Sequence, residues 1–132
     1  MKFEENTERM IGCVYRVYNK MGFGFLESVY EKCMLIELAK SGLEAKTQQP
    51  IKVHDDGEIV GEFVADLLVK NQIIVELKSV RTIVQAHEIQ LLNDRVATHT
   101  EVGLILNFAE RKVEVKRKRE GVRFKFGVFS SV

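Results

Sequence analysis

The chain has 132 residues, of which 45% are hydrophobic and 30% charged, and its formal net charge is +1. That is the size of one domain with a real core and an ordinary soluble composition, and the overall charge names no partner. The polar, acidic start "MKFEENTERM" lacks the apolar stretch of a signal peptide, and no apolar run approaches the roughly 18 residues needed to span a bilayer, so a cytoplasmic protein without a membrane partner is expected.

In chain order, Met10, Ile11, Val14, Tyr15, Val17 and Tyr18 recur at helical spacing and predict a helix over 7–20, capped by Asn6 or Thr7. "MGFG" breaks it, because two glycines in three residues favour a turn. A second helix is predicted from Leu26 to Lys40, with Leu26, Val29, Tyr30 and Cys33 on its apolar side and Gly42 just beyond its end. Cys13 and Cys33 are the only two cysteines; they fall in these helical patterns, form no CxxC, and read as reduced thiols.

Three antiparallel strands follow, over about 43–54, 58–69 and 73–79. "DDG" marks the first hairpin turn and "KNQ" a weaker second one, while Pro50 suits an edge or a bulge. Residues 83–98 read as a helix with Ile83, Ala86, Ile89, Gln90, Asn93 and Ala97 along one side. "VGLILNF" (102–108) reads as a buried strand and "KVEVKRK" (112–118) as a strand facing solvent on one side. "VRFKFGVF" (122–129) reads as a further strand or a tail packed on the sheet. The order is α-α-β-β-β-α-β-β, a mixed central sheet flanked by helices in one α/β (α+β) domain. The helix at 83–98 is long enough for a parallel crossover between its flanking strands, which would be right-handed.

Charge interrupts the most apolar stretch. In "FVADLLVKNQIIVELKSV" (63–80), Glu76 and Lys78 are two apart, so they share a face at roughly 6.5–7 Å along a strand. Asp66 lies on the preceding strand. A three-residue loop at 70–72 sets Asp66 opposite Glu76, whereas a two-residue loop puts it on the other face. By alternation Val64, Leu68 and Ile74 share the charged face, and Ala65, Leu67, Ile73, Val75 and Leu77 fill the other. Buried carboxylates must be paired or bind a metal. Two carboxylates and one ammonium leave the cluster one cation short, a deficit that Mg²⁺ or Mn²⁺ would close through oxygen ligands. The competing reading is a structural salt bridge near the sheet end.

The ordered set is longer than this cluster. Gly24-Phe-Leu-Glu27-Ser-Val-Tyr30 opens the second helix, Asp66 and Glu76-Leu77-Lys78 come next, and His87-Glu-Ile-Gln90-Leu-Leu-Asn93 lies on the next helix. Over roughly residues 8–115 this resembles the GxxExxY protein family, a branch similar to the PD-(D/E)XK nucleases, whose restriction-endonuclease-like core is α-β-β-β-α-β. The resemblance implies Mg²⁺-dependent cleavage of nucleic acid, with Asp66 and Glu76 on the metal and Lys78 beside the attacked phosphate. It also implies that Glu27 completes the acidic set and that Gln90 is a site residue. Tyr30 is the last letter of the signature; it is assigned to the substrate, or it is a core aromatic with a hydrogen-bonded hydroxyl. Two departures stand out: Asp94 lies where relatives often carry an aromatic, and Ala65 precedes the aspartate in place of proline.

On this reading Asp66, Glu76, the carbonyl of Leu77 and Glu27 hold the metal, and Lys78 positions water or stabilises charge. "RKVEVKRKREGVRFK" (111–125) has eight basic residues and two acidic ones. Lys116, Arg117, Lys118 and Arg119 would bind phosphates there, or form a solvated positive edge that discourages strand pairing. Cutting both strands of a duplex needs two copies or two events, which admits a homodimer. Two alternatives to an enzyme stand: a non-catalytic nucleic-acid-binding module, and a protein-interaction subunit that retains the fold.

Overall fold

The computed structural model describes residues 2–81, 83, 85–98 and 102–119. Helix α1 runs Lys2–Met21 and α2 runs Glu27–Lys40. Strands β1 (Ala45–Asp55), β2 (Glu58–Val69) and β3 (Ile73–Lys78) come next, then α3 (Gln85–Thr98), β4 (Val102–Phe108) and β5 (Val113–Arg119). Among the described residues the sheet is five-stranded in the order β1-β2-β3-β4-β5. Among the described strands only β3 and β4 pair in parallel, and α3 provides the crossover that such a pair requires. The expected strand at 122–129 lies outside the described residues.

α1 begins earlier than its apolar stripe suggests. Neither glycine nor proline precedes Asn6, so the helix extends back through polar residues, and Thr7 is buried within it rather than capping it. Pro50 lies on edge strand β1, opposite Val64, as expected for a residue with no N–H to donate. Both cysteines are free; Cys13 is buried and Cys33 partly so.

Two cores sandwich the sheet. On one face Met10, Val14 and Val17 of α1 and Tyr30, Met34 and Leu38 of α2 pack on Leu67, Val75, Leu77 and Leu104. On the other, Leu91 of α3 meets Ala65, Ile74 and Ile105. The close seat of α3 depends on Gly103, since a Cβ there would lie 2.9 Å from Leu91 Cδ1.

Simple alternation fails in the first hairpin. Ala45 and Ile51 are both odd-numbered in β1, as are Leu67 and Ala65 in β2. Yet Ala45 and Leu67 pack toward α1 and α2, while Ile51 and Ala65 pack toward α3. Ala65 therefore leaves the face that parity assigns it, and Val64 is 51% exposed. The change of face falls at Gln48 and Asp66, which sit between the pairs Thr47↔Leu67 and Gln49↔Ala65. Gln48 has a φ of 48°, a left-handed conformation that breaks the regular pleat.

Candidate active site

The β2–β3 turn decides whether the charged residues can meet. Val69 pairs with Ile73, Leu68 with Ile74 and Leu67 with Val75, so residues 70–72 form the three-residue loop. Lys70 and Asn71 both have positive φ (53° and 56°), and Gln72 N–H closes the turn on Val69 O at 3.0 Å. The register extrapolates to Asp66 opposite Glu76. There the ladder gives way, and a side chain replaces the backbone: Asp66 Oδ2 accepts the N–H of Leu77 at 2.7 Å.

Glu76 is 7% exposed, and its Oε1 is fully enclosed. It stands in register with Ile105, and Ile74 with Gly103, so Glu76 belongs to the sheet face that α3 covers. Lys78 shares that face by parity and is half-buried at the strand end, in register with Asn107. Asp66 is thus bonded to the backbone residue that lies between Glu76 and Lys78, where β2 and β3 diverge. Two carboxylates beside a main-chain carbonyl form a hard oxygen donor set, which suits a small divalent cation. Among the described residues no three His, Cys, Asp or Glu side chains converge as a preformed metal site.

The other expected residues are distributed around this point. Glu27 is exposed in the first turn of α2. Ser79 Oγ donates to Phe25 O at 3.1 Å, which ties the start of α2 to the end of β3. Gln90 is exposed on α3, beside the buried Leu91. The side chain of Asp94 lies outside the described residues.

Tyr30 takes the second of its two readings. It is fully buried, its ring stacks on Phe108 (centroids 4.1 Å apart, planes at 5°), and its hydroxyl donates to Gly22 O at 2.7 Å and accepts from Phe25 N–H at 3.4 Å. A side chain so enclosed does not touch a substrate; it holds the loop that precedes α2.

The basic stretch is divided by strand alternation. Arg117 points to the α1 side, where it pairs with Glu8 at 3.2 Å. Lys118 points to the α3 side and pairs with Glu88 at 3.0 Å. Lys116 is exposed and lies in register with Ile105, hence in the same row as Glu76 two strands away, about 10 Å. The side chain of Arg119 lies outside the described residues.

One positioning residue was not anticipated. Asn107 is completely buried, accepts the N–H of Val80 and donates to Val80 O (both 2.9 Å), and donates to Glu114 Oε1 at 2.8 Å. It pins the chain leaving β3 just after Lys78. The available signal was a lone amide in the otherwise apolar "VGLILNF". Tyr18 acts similarly on the β4–β5 turn, donating to Ala109 O at 2.5 Å and Glu110 O at 3.1 Å, and burial raises its phenol pKa above the ordinary value, with the nearby Tyr30 and Glu110 adding to the effect.

With this geometry in place, comparison with known proteins gives three results. The family model of the PD-(D/E)XK nuclease superfamily matches residues 4–119. No curated protein matches the chain. One similar solved structure is "Crystal structure of SSO0001", with a TM-score of 0.58 at 16% identity over 73% of this chain and 50% of that one, a likeness of fold. The chain thus spans about half the length of that structure. No helix among the described residues is long and apolar enough to cross a membrane.

Proposed function

This chain belongs to the PD-(D/E)XK nuclease superfamily, and from that premise we propose that it is a divalent-metal-dependent nuclease whose site is built on Asp66, Glu76 and Lys78. The observation that carries the reading is the hydrogen bond from Leu77 N–H to Asp66 Oδ2. It fastens one carboxylate to the strand that carries the other carboxylate and the lysine. In a strand, the N–H and C=O of one residue leave on the same side. The Leu77 carbonyl therefore also faces the gap that Asp66 occupies, beyond the last rung of the β2–β3 ladder.

Asp66, Glu76 and the carbonyl of Leu77 would hold Mg²⁺ or Mn²⁺, with Glu27 joining from the start of α2. The ion would supply Lewis-acid polarisation of a phosphate and a more acidic bound water. Lys78 places an ammonium where negative charge grows on the phosphoryl oxygens, in a half-buried setting that strengthens its effect. Gln90, exposed on the covering helix, orients water or the substrate backbone. Lys116, in the row of Glu76, contacts a neighbouring phosphate. Lys118 and Arg117 reach phosphate only by exchanging Glu88 and Glu8 for it, and Arg119 comes next on the same strand. Phosphate contacts of this kind make binding weaken steeply with salt and carry no base preference.

The test is cleavage of single- and double-stranded DNA and RNA with and without Mg²⁺ or Mn²⁺, with Glu76→Ala as control. Metal-dependent cleavage lost in the variant supports the assignment. Equal cleavage by both proteins, or none by wild type with any substrate, refutes it.

A further inference from the structure

The short loop between α1 and α2 holds three large apolar side chains in water. Phe23 is 54% exposed, Phe25 42% and Leu26 77%. The loop is nevertheless fastened at several points. Gly22 N–H donates to Tyr18 O (2.8 Å), the Tyr30 hydroxyl bonds Gly22 O (2.7 Å) and Phe25 N–H (3.4 Å), and Ser79 Oγ donates to Phe25 O (3.1 Å). Gly22 and Gly24 have φ of 71° and 101°, yet a Cβ on either would meet nothing within 4 Å, so these glycines serve the path of the chain and not its packing. The Phe25 ring is itself braced edge-on against Tyr30, with centroids 6.0 Å apart and planes at 82°. These contacts hold apolar surface in one place while leaving it unburied.

Its position indicates the occupant. Ser79 directly succeeds Lys78, so the loop borders the end of β3. The same end of the parallel β3–β4 pair carries cations: Arg81, Arg111 and Lys112 line a cavity of about 590 Å³ together with Ala109, Glu110 and Glu114. Exposed aromatic rings on a fastened loop, near a cavity whose three cations outnumber its two carboxylates, are a combination that binds unpaired nucleotides, the rings stacking bases and the cations meeting phosphates. Bases inside a duplex offer no free face to such rings.

We propose that the Phe23–Leu26 loop is a stacking platform for unpaired bases, so that the preferred substrate is single-stranded nucleic acid or a frayed end. This rests on the nuclease reading for its choice of ligand, but the platform is tested by binding without metal, and cleavage is assayed separately and decides only the nuclease reading. The probes are a labelled twelve-nucleotide oligothymidylate and a blunt duplex of equal length, titrated in EDTA against wild type, Phe23→Ala, Leu26→Ser and Phe23→Trp, with thermal unfolding of each variant as a check. The chain contains no tryptophan, so Phe23→Trp supplies a single reporter whose fluorescence is quenched by a stacked base. The expected result is tighter single-strand than duplex binding, roughly ten-fold weaker single-strand binding by Phe23→Ala, and quenching with retained affinity in Phe23→Trp. Unchanged single-strand affinity in Phe23→Ala, or an unquenched Phe23→Trp that binds normally, overturns the proposal. So does a shift from dimer to monomer in Phe23→Ala with oligonucleotide binding intact, which would give the loop to a second copy of the chain. Wild type that cleaves with metal yet shows no single-strand preference would refute the platform alone; quenching without any cleavage would refute the nuclease assignment alone.

Discussion

The carboxylate of Asp66 accepts the main-chain N–H of Leu77 at 2.7 Å, taking the place of a backbone rung where β2 and β3 diverge. The bond gives Asp66 a structural duty beside its proposed metal duty, and the two separate by substitution. Asp66→Asn keeps an oxygen acceptor for Leu77 and loses the charge. It should unfold near the wild-type urea midpoint while losing Mn²⁺ binding by calorimetry and cleavage. Asp66→Ala should lose both and fall in stability by about 1–3 kcal/mol, the cost of leaving that N–H unpaired.

Lys78 is half-buried at a strand end, so its truncation leaves the core intact. Lys78→Ala should lower kcat by about 10²–10³-fold, as the removal of one transition-state donor does elsewhere, with an unchanged circular dichroism spectrum. Cleavage at the wild-type rate would remove Lys78 from the mechanism.

Asn107 pairs with both polar groups of the Val80 backbone and with Glu114. Asn107→Leu keeps the volume and removes all three bonds. Stability should fall by about 1–3 kcal/mol or more, the Val80 amide should exchange faster with deuterium, and cleavage should fall because the chain leaving Lys78 is no longer held. Fast exchange at Val80 with full activity would confine Asn107 to a folding role.

Gly103 allows α3 to lie against the sheet, with Leu91 at van der Waals range. Gly103→Ala forces a contact of 2.9 Å with Leu91 Cδ1 and should cost about 1–3 kcal/mol. Gly103→Ala combined with Leu91→Ala should recover less than the cavity it opens, so the pair should behave non-additively in a double-mutant cycle.

Glu37 is buried between α1 and α2 and pairs with Arg16 (3.2 Å), Lys20 (3.5 Å) and Lys40 (3.2 Å). The hydrogen bond from Lys40, helped by the Lys20 charge and Arg16, holds its carboxyl below the ordinary glutamate value despite burial. A folded value below the unfolded one means that the stabilisation is full above the unfolded pKa, about 4.3, and is lost as pH falls through the lowered folded value. Glu37→Gln should therefore lower the melting temperature at neutral pH, and the difference from wild type should shrink as the solution is acidified. A constant difference at all pH values would show that shape, not charge, matters there.

Much of the fold is dictated by local pattern. The element order, the parallel crossover and the turn at 70–72 are all legible, because apolar period and turn chemistry act over a few neighbouring residues. Parity about residue 71 sets Asp66 opposite Glu76 only if the loop has three residues, and the register from Val69↔Ile73 to Leu67↔Val75 supplies that condition. Features that depend on contacts distant in sequence are not legible. Alternation carried through β1 and β2 misplaces Ala65, because a left-handed residue at Gln48 turns both strands from one core to the other. The unbroken run of basic letters in β5 hides that Arg117 and Lys118 face opposite sides and meet different helices. A tyrosine in a motif does not show that Phe108, 78 positions later, stacks on its ring. Nor does a single amide in a buried strand name Val80 as its partner. The chain by itself determined which chemistry-bearing residues share a strand and, within the regular strand β3, that Glu76 and Lys78 share a face, since that depends on backbone period. Only the packed structure decided which of them are enclosed, which are already paired, and which stand open beside the end of β3, since burial and pairing are set by the surfaces that folding brings together.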